Sequence, residues 1–272
     1  MILGYIDWNV DPIMFHIGPF GIRYYSLFFA LAFWLGFVII AKMFQKEKLP
    51  EEWADKLFFY TIAGTVIGAR LGHVFFYGWE HYSQHPIEIF KIWEGGLASH
   101  GAAIGIMTAL YIYHRMVSKK TFLWVLDRIV VVVALSGFFI RMGNLMNSEI
   151  VGAPCDPNLP WAFRFLRLHP DDALIPRHPS QIYEAVFYLG VFFLLTFLYL
   201  KKNFGQKDGA LFGLFLVLVF GFRLLIESIK ADQEAFEADM ILNMGQILSI
   251  PFILLGLWSI WHSLIKPLTQ KQ

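Results

Sequence analysis

Apolar residues in this chain come in runs long enough to cross a lipid bilayer, and that limits its possible folds more than any single motif. A span needs roughly 20 mostly apolar residues. Seven segments qualify: about Tyr24–Met43, Leu57–Tyr77, Leu97–Arg115, Thr121–Ile140, Ile182–Leu200, Ala210–Ile229 and Met244–Ile265. Several contain Gly, Ser or His, which blurs their edges by a few residues. Only 16% of the chain is charged and 57% is hydrophobic, whereas a soluble domain carries about a quarter charged residues. The expected architecture is all-α: a polytopic membrane protein with about seven transmembrane helices. It reads as a single integral membrane domain over 1–272, with 142–180 inserted as a small external head.

Charge placement gives an orientation. One set of alternate loops holds Lys42, Lys46, Lys48 and Lys56, then Arg115, Lys119 and Lys120, then Lys201, Lys202 and Lys207, with Lys266 and Lys271 in the tail. The opposite set is poor in Lys, and its last loop carries Asp232, Glu234, Glu237 and Asp239 instead. The positive-inside rule places the N-terminus outside and the C-terminus in the cytoplasm. Met1–Arg23 lacks the basic start of a cleavable signal peptide, and Asp7, Trp8, Pro12 and Phe15 suit an interfacial stretch leading into the first span. The exception to the charge rule is Met142–Ser180, where Arg164, Arg167 and Arg177 sit among Pro, Trp and Asp residues, a composition that suits a small folded head. Net charge is +1, so bulk electrostatics identifies no partner, and nucleic acid is not expected. A single cysteine, Cys155, excludes an intramolecular disulfide and a cysteine-built metal site; it reads as an incidental loop cysteine.

Polar groups within or beside the spans mark the candidate site, because an ionisable group in hydrocarbon is costly unless paired. After the uncharged run Ile129–Ile140 comes Arg141-Met-Gly-Asn-Leu-Met-Asn-Ser-Glu-Ile-Val-Gly152, bringing a guanidinium, two carboxamides and a carboxylate within nine positions, spaced by two glycines. Arg70, Arg128 and Arg223 also fall inside or at the ends of spans. Arg128 follows Asp127 near the cytoplasmic start of its helix and is expected to snorkel to the interface. Arg141 and Arg223 both fall toward the external half, where two guanidiniums from different helices suit a phosphate. The competing reading for Arg223 is an internal pair with Glu227, one turn away. His100 opens the third span among Gly95, Gly96 and Gly101. Imidazole titrates near neutrality and suits a general base toward a thiol or hydroxyl, although a lone helical His is more often packed and hydrogen-bonded. Gly101 and Gly105 form a small-xxx-small face for tight helix packing. Ser180 reads as an N-cap of the fifth span with Glu184 near its first turn, and Asn243-Met-Gly-Gln246 opens the seventh.

Soluble-enzyme constellations are missing: no phosphate-binding glycine loop followed by Lys, no His-Glu-x-x-His and no Gly-x-Ser-x-Gly. No metal or cofactor is expected. Two other classes remain open on the residues alone. A seven-span transporter for an anionic solute would use the arginines to line its path, but the cytoplasmic halves read as largely sealed by Leu, Ile, Val and Phe. A lipid-binding scaffold without chemistry would tolerate loss of His100.

Seven blocks in order carry a resemblance: Arg23-Tyr-Tyr-Ser26, Gly68-Ala-Arg-Leu-Gly72, Trp93-Glu-Gly-Gly-Leu-Ala-Ser-His-Gly101, the Arg141–Gly152 stretch, Arg177-His-Pro-Ser-Gln-Ile-Tyr-Glu184, Phe222-Arg-Leu-Leu-Ile-Glu227 and Met244-Gly-Gln-Ile-Leu-Ser249. Through nearly its whole length the chain resembles the bacterial phosphatidylglycerol–prolipoprotein diacylglyceryl transferases. The Arg-x-Gly-Asn-x-x-Asn-x-Glu-x-x-Gly pattern is the specific part. The resemblance implies a multi-pass enzyme of the inner (cytoplasmic) membrane that moves the diacylglyceryl group of phosphatidylglycerol onto the lipobox cysteine of a preprolipoprotein signal peptide, releasing glycerol phosphate. It further implies catalytic roles for His100, Arg141 and Arg223, and substrate contacts from Tyr25, Arg141, Asn144, Glu149, Gly152 and Arg223. The chain departs from the pattern at Tyr24, Ser26 and Leu145, at Val219 and Phe220 where a Tyr is common, and at Lys230 where an Arg is usual.

Overall fold

The computed structural model describes residues 4–201, 204, 207–230, 240 and 242–265. Lys202, Lys266, Lys271 and the acidic run from Asp232 to Asp239 lie outside the described residues. Long helices dominate, as a backbone in hydrocarbon requires, since every N–H and C=O must bond within its own segment. They are α1 (Tyr24–Lys46), α2 (Glu52–Phe76), the short α3 (Trp79–Gln84), α4 (Ser99–Tyr113), α5 (Phe122–Asn147), the one-turn α6 (Pro170–Ala173), α7 (Ser180–Lys201), α8 (Ala210–Ile226) and α9 (Met244–Ile265). Among the described residues, six helices are long and apolar enough to cross a membrane: α1, α2, α5, α7, α8 and α9. The third expected span differs. Helix α4 covers 15 residues, about 22 Å, and continues as a π-helical turn, His114–Ser118, so that helical residues run unbroken from Ser99 to Ser118.

The chain forms two compact units, Met1–Gly36 with Asp127–Gln272, and Phe37–Leu126. In the Phe37–Leu126 unit, α2 and α4 meet through small residues. A Cβ added at Gly72 would lie 2.6 Å from Gly101 Cα, and one at Gly64 2.7 Å from Gly105 O. The Gly101/Gly105 face therefore packs as expected, and its partner is the Gly64–Gly68–Gly72 stripe of α2. Backbones this close gain dispersion contacts that larger side chains would prevent. Phe44 and Trp124 pack at 5.7 Å, and the buried Tyr113 donates its hydroxyl to Trp53 O at 3.1 Å.

In the other unit, α8 and α9 approach in the same way, with a Cβ at Gly213 falling 2.6 Å from Gly256 O. Helix α8 is capped from a distance. Asp127 of α5, fully buried, accepts hydrogen bonds from Gly209 N at 2.7 Å and Phe212 N at 2.8 Å, satisfying donors that a helix start leaves open. Its neighbour Arg128 does not snorkel: it is 4% exposed and engaged by surrounding groups. Helix α9 opens with a reciprocal capping box, Gln246 N to Asn243 Oδ1 at 2.8 Å and Asn243 N to Gln246 Oε1 at 3.1 Å.

The segment after α5 folds around a strand that the sequence did not predict. Strand β1 (Tyr5–Trp8) pairs in parallel with β4 (Ala162–Phe165), with Tyr5 opposite Ala162 and Trp8 opposite Phe165. Asp7 and Trp8, expected as an interfacial stretch, are thus part of a small sheet. Strands β2 (Ile13–Ile17) and β3 (Phe20–Arg23) form a hairpin leading into α1. The arginines that broke the charge rule are each neutralised locally: Arg164 grips Asp7 at 2.6 and 2.7 Å, Arg167 reaches Asp11 at 2.9 Å, and Arg177 pairs with Asp172. The Arg164 guanidinium holds the exposed Asp7 carboxyl below the usual carboxylate range. Leu145, Phe163 and Phe165 make the core here, with Trp8, Val151 and Ile182 packed against it.

Candidate active site

The Arg141–Gly152 stretch is the C-terminal end of α5 followed by a tight reversal. Ser148 and Ile150 both take left-handed backbone conformations, at φ of 55° each. That is an uncommon state for any residue with a Cβ and costly for a β-branched one. The two strained residues flank Glu149 and turn its carboxylate back along α5. Glu149 Oε2 accepts from Asn144 Nδ2 at 3.1 Å and Oε1 from Asn147 Nδ2 at 3.0 Å. The turn is held from α7: Gln181 Nε2 donates to Glu149 O at 2.6 Å and Ser180 Oγ to Ile150 O at 2.8 Å. Both side chains are fully buried. The Ser180 hydroxyl, expected to cap its own helix, instead ties α7 to the strained turn. The indole of Trp8 secures the same end of α5 by donating to Leu145 O at 2.9 Å.

Gly143 and Gly152 are explained by close approach. The Tyr25 ring lies over Gly143, where an added Cβ would come within 2.6 Å of Tyr25 Cδ2. At Gly152 an added Cβ would meet the His178 backbone and lie 2.7 Å from His178 Cβ. Gly152 N donates to His178 O at 3.0 Å, and Gly152 forms a bridge with Lys230. Its place is in the backbone framework, whereas Tyr25 sits in the electrostatic reach of both Arg141 and Glu149.

An ionic core links Arg141 to Arg223. Glu184, fully buried one turn into α7, receives Arg141 Nη2 on Oε1 at 3.0 Å, with Arg141 Nε 3.0 Å from Oε2. The Nε approach to Oε2 is misaligned, leaving that oxygen without a hydrogen bond. Lys230, also buried, donates from Nζ to Glu184 Oε1 at 3.2 Å and to Glu227 Oε1 at 3.0 Å. Glu227 then accepts from Arg223 Nε at 3.2 Å. Arg141 Nη1 reaches Asn144 Oδ1 at 3.2 Å, joining this core to the Glu149 turn. Glu184, expected to interact with its helix's own first turn, is instead shared between Arg141 and Lys230. Of the predicted site residues, Arg141, Arg223, Asn144 and Glu149 belong to one hydrogen-bonded network. Lys230 and Glu184 are the members that sequence reasoning missed, and an ionisable residue in a buried segment was the available signal.

The Arg223–Glu227 pair expected as the competing reading is present. It does not use up the guanidinium: the Arg223 side chain is 39% exposed, and among the described residues its terminal nitrogens carry no hydrogen bond. The ion-paired core holds three cations against two carboxylates, and Glu149, one carboxamide removed, supplies the third negative charge. Such a site presents Arg donors already fixed in place to an incoming anion, the arrangement that binds phosphate most specifically.

His100 lies in the Phe37–Leu126 unit. It is exposed at the start of α4, with its ring 5.0 Å from Phe76 and 5.6 Å from Tyr77. No hydrogen bond holds the imidazole among the described residues, so the packed and hydrogen-bonded alternative is met only in its ring contacts. Cys155 is half-buried on the loop before β4; burial, then Asp156, raises its thiol pKa. Among the described residues no group of His, Cys, Asp and Glu is placed to hold a metal ion.

Comparison with known proteins identifies the family. Residues 12–262 match the family model for prolipoprotein diacylglyceryl transferase. Similar proteins named phosphatidylglycerol–prolipoprotein diacylglyceryl transferase occur in Chloroherpeton thalassium (46% identical, 98% of this chain and 97% of that protein) and Porphyromonas gingivalis (46%, 98% of each). Another occurs in Tolumonas auensis (45%, 92% of this chain and 94% of that protein). The chain belongs to the prolipoprotein diacylglyceryl transferase family and is a transferase built on membrane-crossing helices.

Proposed function

We propose, from that membership, that this protein transfers the diacylglyceryl group of phosphatidylglycerol to the lipobox cysteine thiol of a preprolipoprotein signal peptide. The observation that carries the residue assignment is the buried core Arg141–Glu184–Lys230–Glu227–Arg223, in which Arg223 keeps an exposed donor edge. Arg141 and Arg223 hold the phosphodiester of the lipid. In the transfer step the sulfur forms a bond to the glyceryl carbon that carries the phosphate ester. The C–O bond breaks with its electron pair remaining on the phosphate oxygen, and glycerol phosphate departs. The guanidiniums stabilise the added charge on that phosphate, a contribution of roughly 3–4 kcal/mol per donor in comparable oxyanion sites. His100 accepts the thiol proton, because the thiolate is the nucleophile. Asn144 and Glu149 hold Arg141 in register, Tyr25 closes over the end of α5, and Gly152 keeps the turn against His178. The step needs no metal or covalent enzyme intermediate.

The loop-charge asymmetry supports an inner-membrane orientation with the N-terminus periplasmic and the C-terminus cytoplasmic. In that orientation the end of α5 and the 142–180 head face the periplasm, where the head receives the signal peptide. Assaying Arg141→Ala and His100→Gln with labelled phosphatidylglycerol and a lipobox peptide tests the roles. Both are expected to lose at least about a hundredfold in turnover. Near-normal turnover of Arg141→Ala would remove the phosphate clamp, and full activity of His100→Gln across neutral pH would remove the base.

A further inference from the structure

The Gly68-Ala-Arg-Leu-Gly72 block is not used by the reaction described above, yet its arginine is among the most constrained charges in the chain. Arg70 lies near the end of α2 at 4% exposure. It forms no ion pair among the described residues. Its guanidinium donates to four backbone carbonyls of the loop that follows: Nε to Ile89 O at 2.8 Å, Nη2 to Glu88 O at 2.5 Å, and Nη1 to Gly95 O at 2.7 Å and Gly96 O at 3.3 Å. The Tyr82 ring covers it at 4.9 Å. The nearby Glu88 carboxylate is taken by His81 at 2.7 Å and Lys91 at 3.0 Å, which hold its pKa down to about 2. A buried cation without a counter-ion is costly, and carbonyl dipoles are its compensation here. Breaking that arrangement frees the loop.

What the clamp fixes is the approach to His100. Gly95 and Gly96 take φ of 89° and 69°, and a Cβ at Gly96 would meet His73 Cδ2 at 2.6 Å and Arg70 Nη1 at 2.8 Å. Gly96 is therefore pressed directly onto the Arg70 and His73 side chains, whereas Gly95 faces open space. Two residues later Ala98 N donates to Ala69 O at 2.9 Å, setting the N-terminus of α4 beside the residue preceding Arg70. His100 is the second residue of that helix. Its imidazole has only ring contacts of its own, so its placement depends on where the helix begins.

We infer that Arg70 is a positioning residue for His100: its planar fork, by gathering the carbonyls of residues 88, 89, 95 and 96, sets the start of α4 and so aims the imidazole. This rests on the assignment of His100 as the base. Lysine keeps the charge but cannot reproduce a five-donor fork, so Arg70→Lys separates geometry from charge.

The test uses the full-length protein in lipid nanodiscs. Arg70→Lys is expected to lower kcat by about 10- to 100-fold, the range expected from a small misplacement of a reacting group, while KM for phosphatidylglycerol stays within about twofold. In a Cys155→Ser background, a nitroxide attached at His100→Cys is expected to become more mobile on adding Arg70→Lys. The same label at Thr108→Cys, further along α4, is expected to be unchanged. A kcat within twofold of the parent, an unchanged spectrum at position 100, or equal mobilisation at 100 and 108 would each overturn the inference, the last by showing general loosening. Full activity in His100→Gln would instead sink the base assignment on which the inference rests, and the label spectra would still report whether the clamp holds the helix start.

Discussion

Replacing Glu184 by glutamine removes one charge from between Arg141 and Lys230 while keeping the side-chain shape. All three groups are largely buried, and removing one partner of a buried pair typically costs about 3–5 kcal/mol because the other charge is left uncompensated. Glu184→Gln is therefore expected to lower the thermal unfolding midpoint measurably and to cut turnover, since Arg141 loses its fixed counter-ion. A midpoint within 1 °C of the parent, measured by a tryptophan-fluorescence melt, would contradict the buried network. Cys155 makes a second prediction at this scale. Burial and Asp156 raise its thiol pKa, so at any pH less of it is thiolate than in a free cysteine. Alkylation by iodoacetamide is expected to be slower than for glutathione at pH 8, with the rate still climbing above the pH where glutathione levels off. A rate equal to or above that of glutathione would contradict it. Arg141, Asn144 and Glu149 could be picked out from sequence because a dense polar cluster follows an uncharged run. The roles of Glu184 and Lys230 could not: pairings spanning 43 and 46 residues leave no periodic trace.

Helix α8 shows how one element depends on another distant in sequence. Its first N–H groups are satisfied by Asp127, 82 and 85 residues earlier. Asp127→Ala would leave two donors without their acceptor, at about 1–3 kcal/mol for each such buried group. The expected result is faster amide exchange concentrated in the first turn of α8, with a lowered unfolding midpoint; unchanged exchange there would show that the cap is dispensable. Elements differed in how well the sequence announced them. Apolar run length located the membrane helices, because the bilayer imposes that length on any spanning segment. The α4 limit at Tyr113 was not legible, since a π turn has the same composition as the helix it extends. Strand β1 was invisible for a different reason: Tyr5–Trp8 is too short to show alternation, and its partner strand is over 150 residues away in the chain.

At the scale of the molecule, the two compact units carry different parts of the proposed chemistry. Met1–Gly36 with Asp127–Gln272 builds the arginine network, and Phe37–Leu126 carries His100 and the Arg70 clamp. Strain and buried charge collect at the end of α5, where local rules of stability are broken beside the proposed anion site. On the proposed reaction, this membrane protein forms a carbon–sulfur bond at the expense of a phosphate ester. The decisive assay incubates purified protein with phosphatidylglycerol labelled in both its acyl chains and its headgroup phosphate, together with a lipobox peptide. The expected outcome is acyl label on the peptide cysteine as a thioether, with phosphate label released as glycerol phosphate in equal molar amount. A folded preparation that binds the lipid yet yields neither product would contradict it.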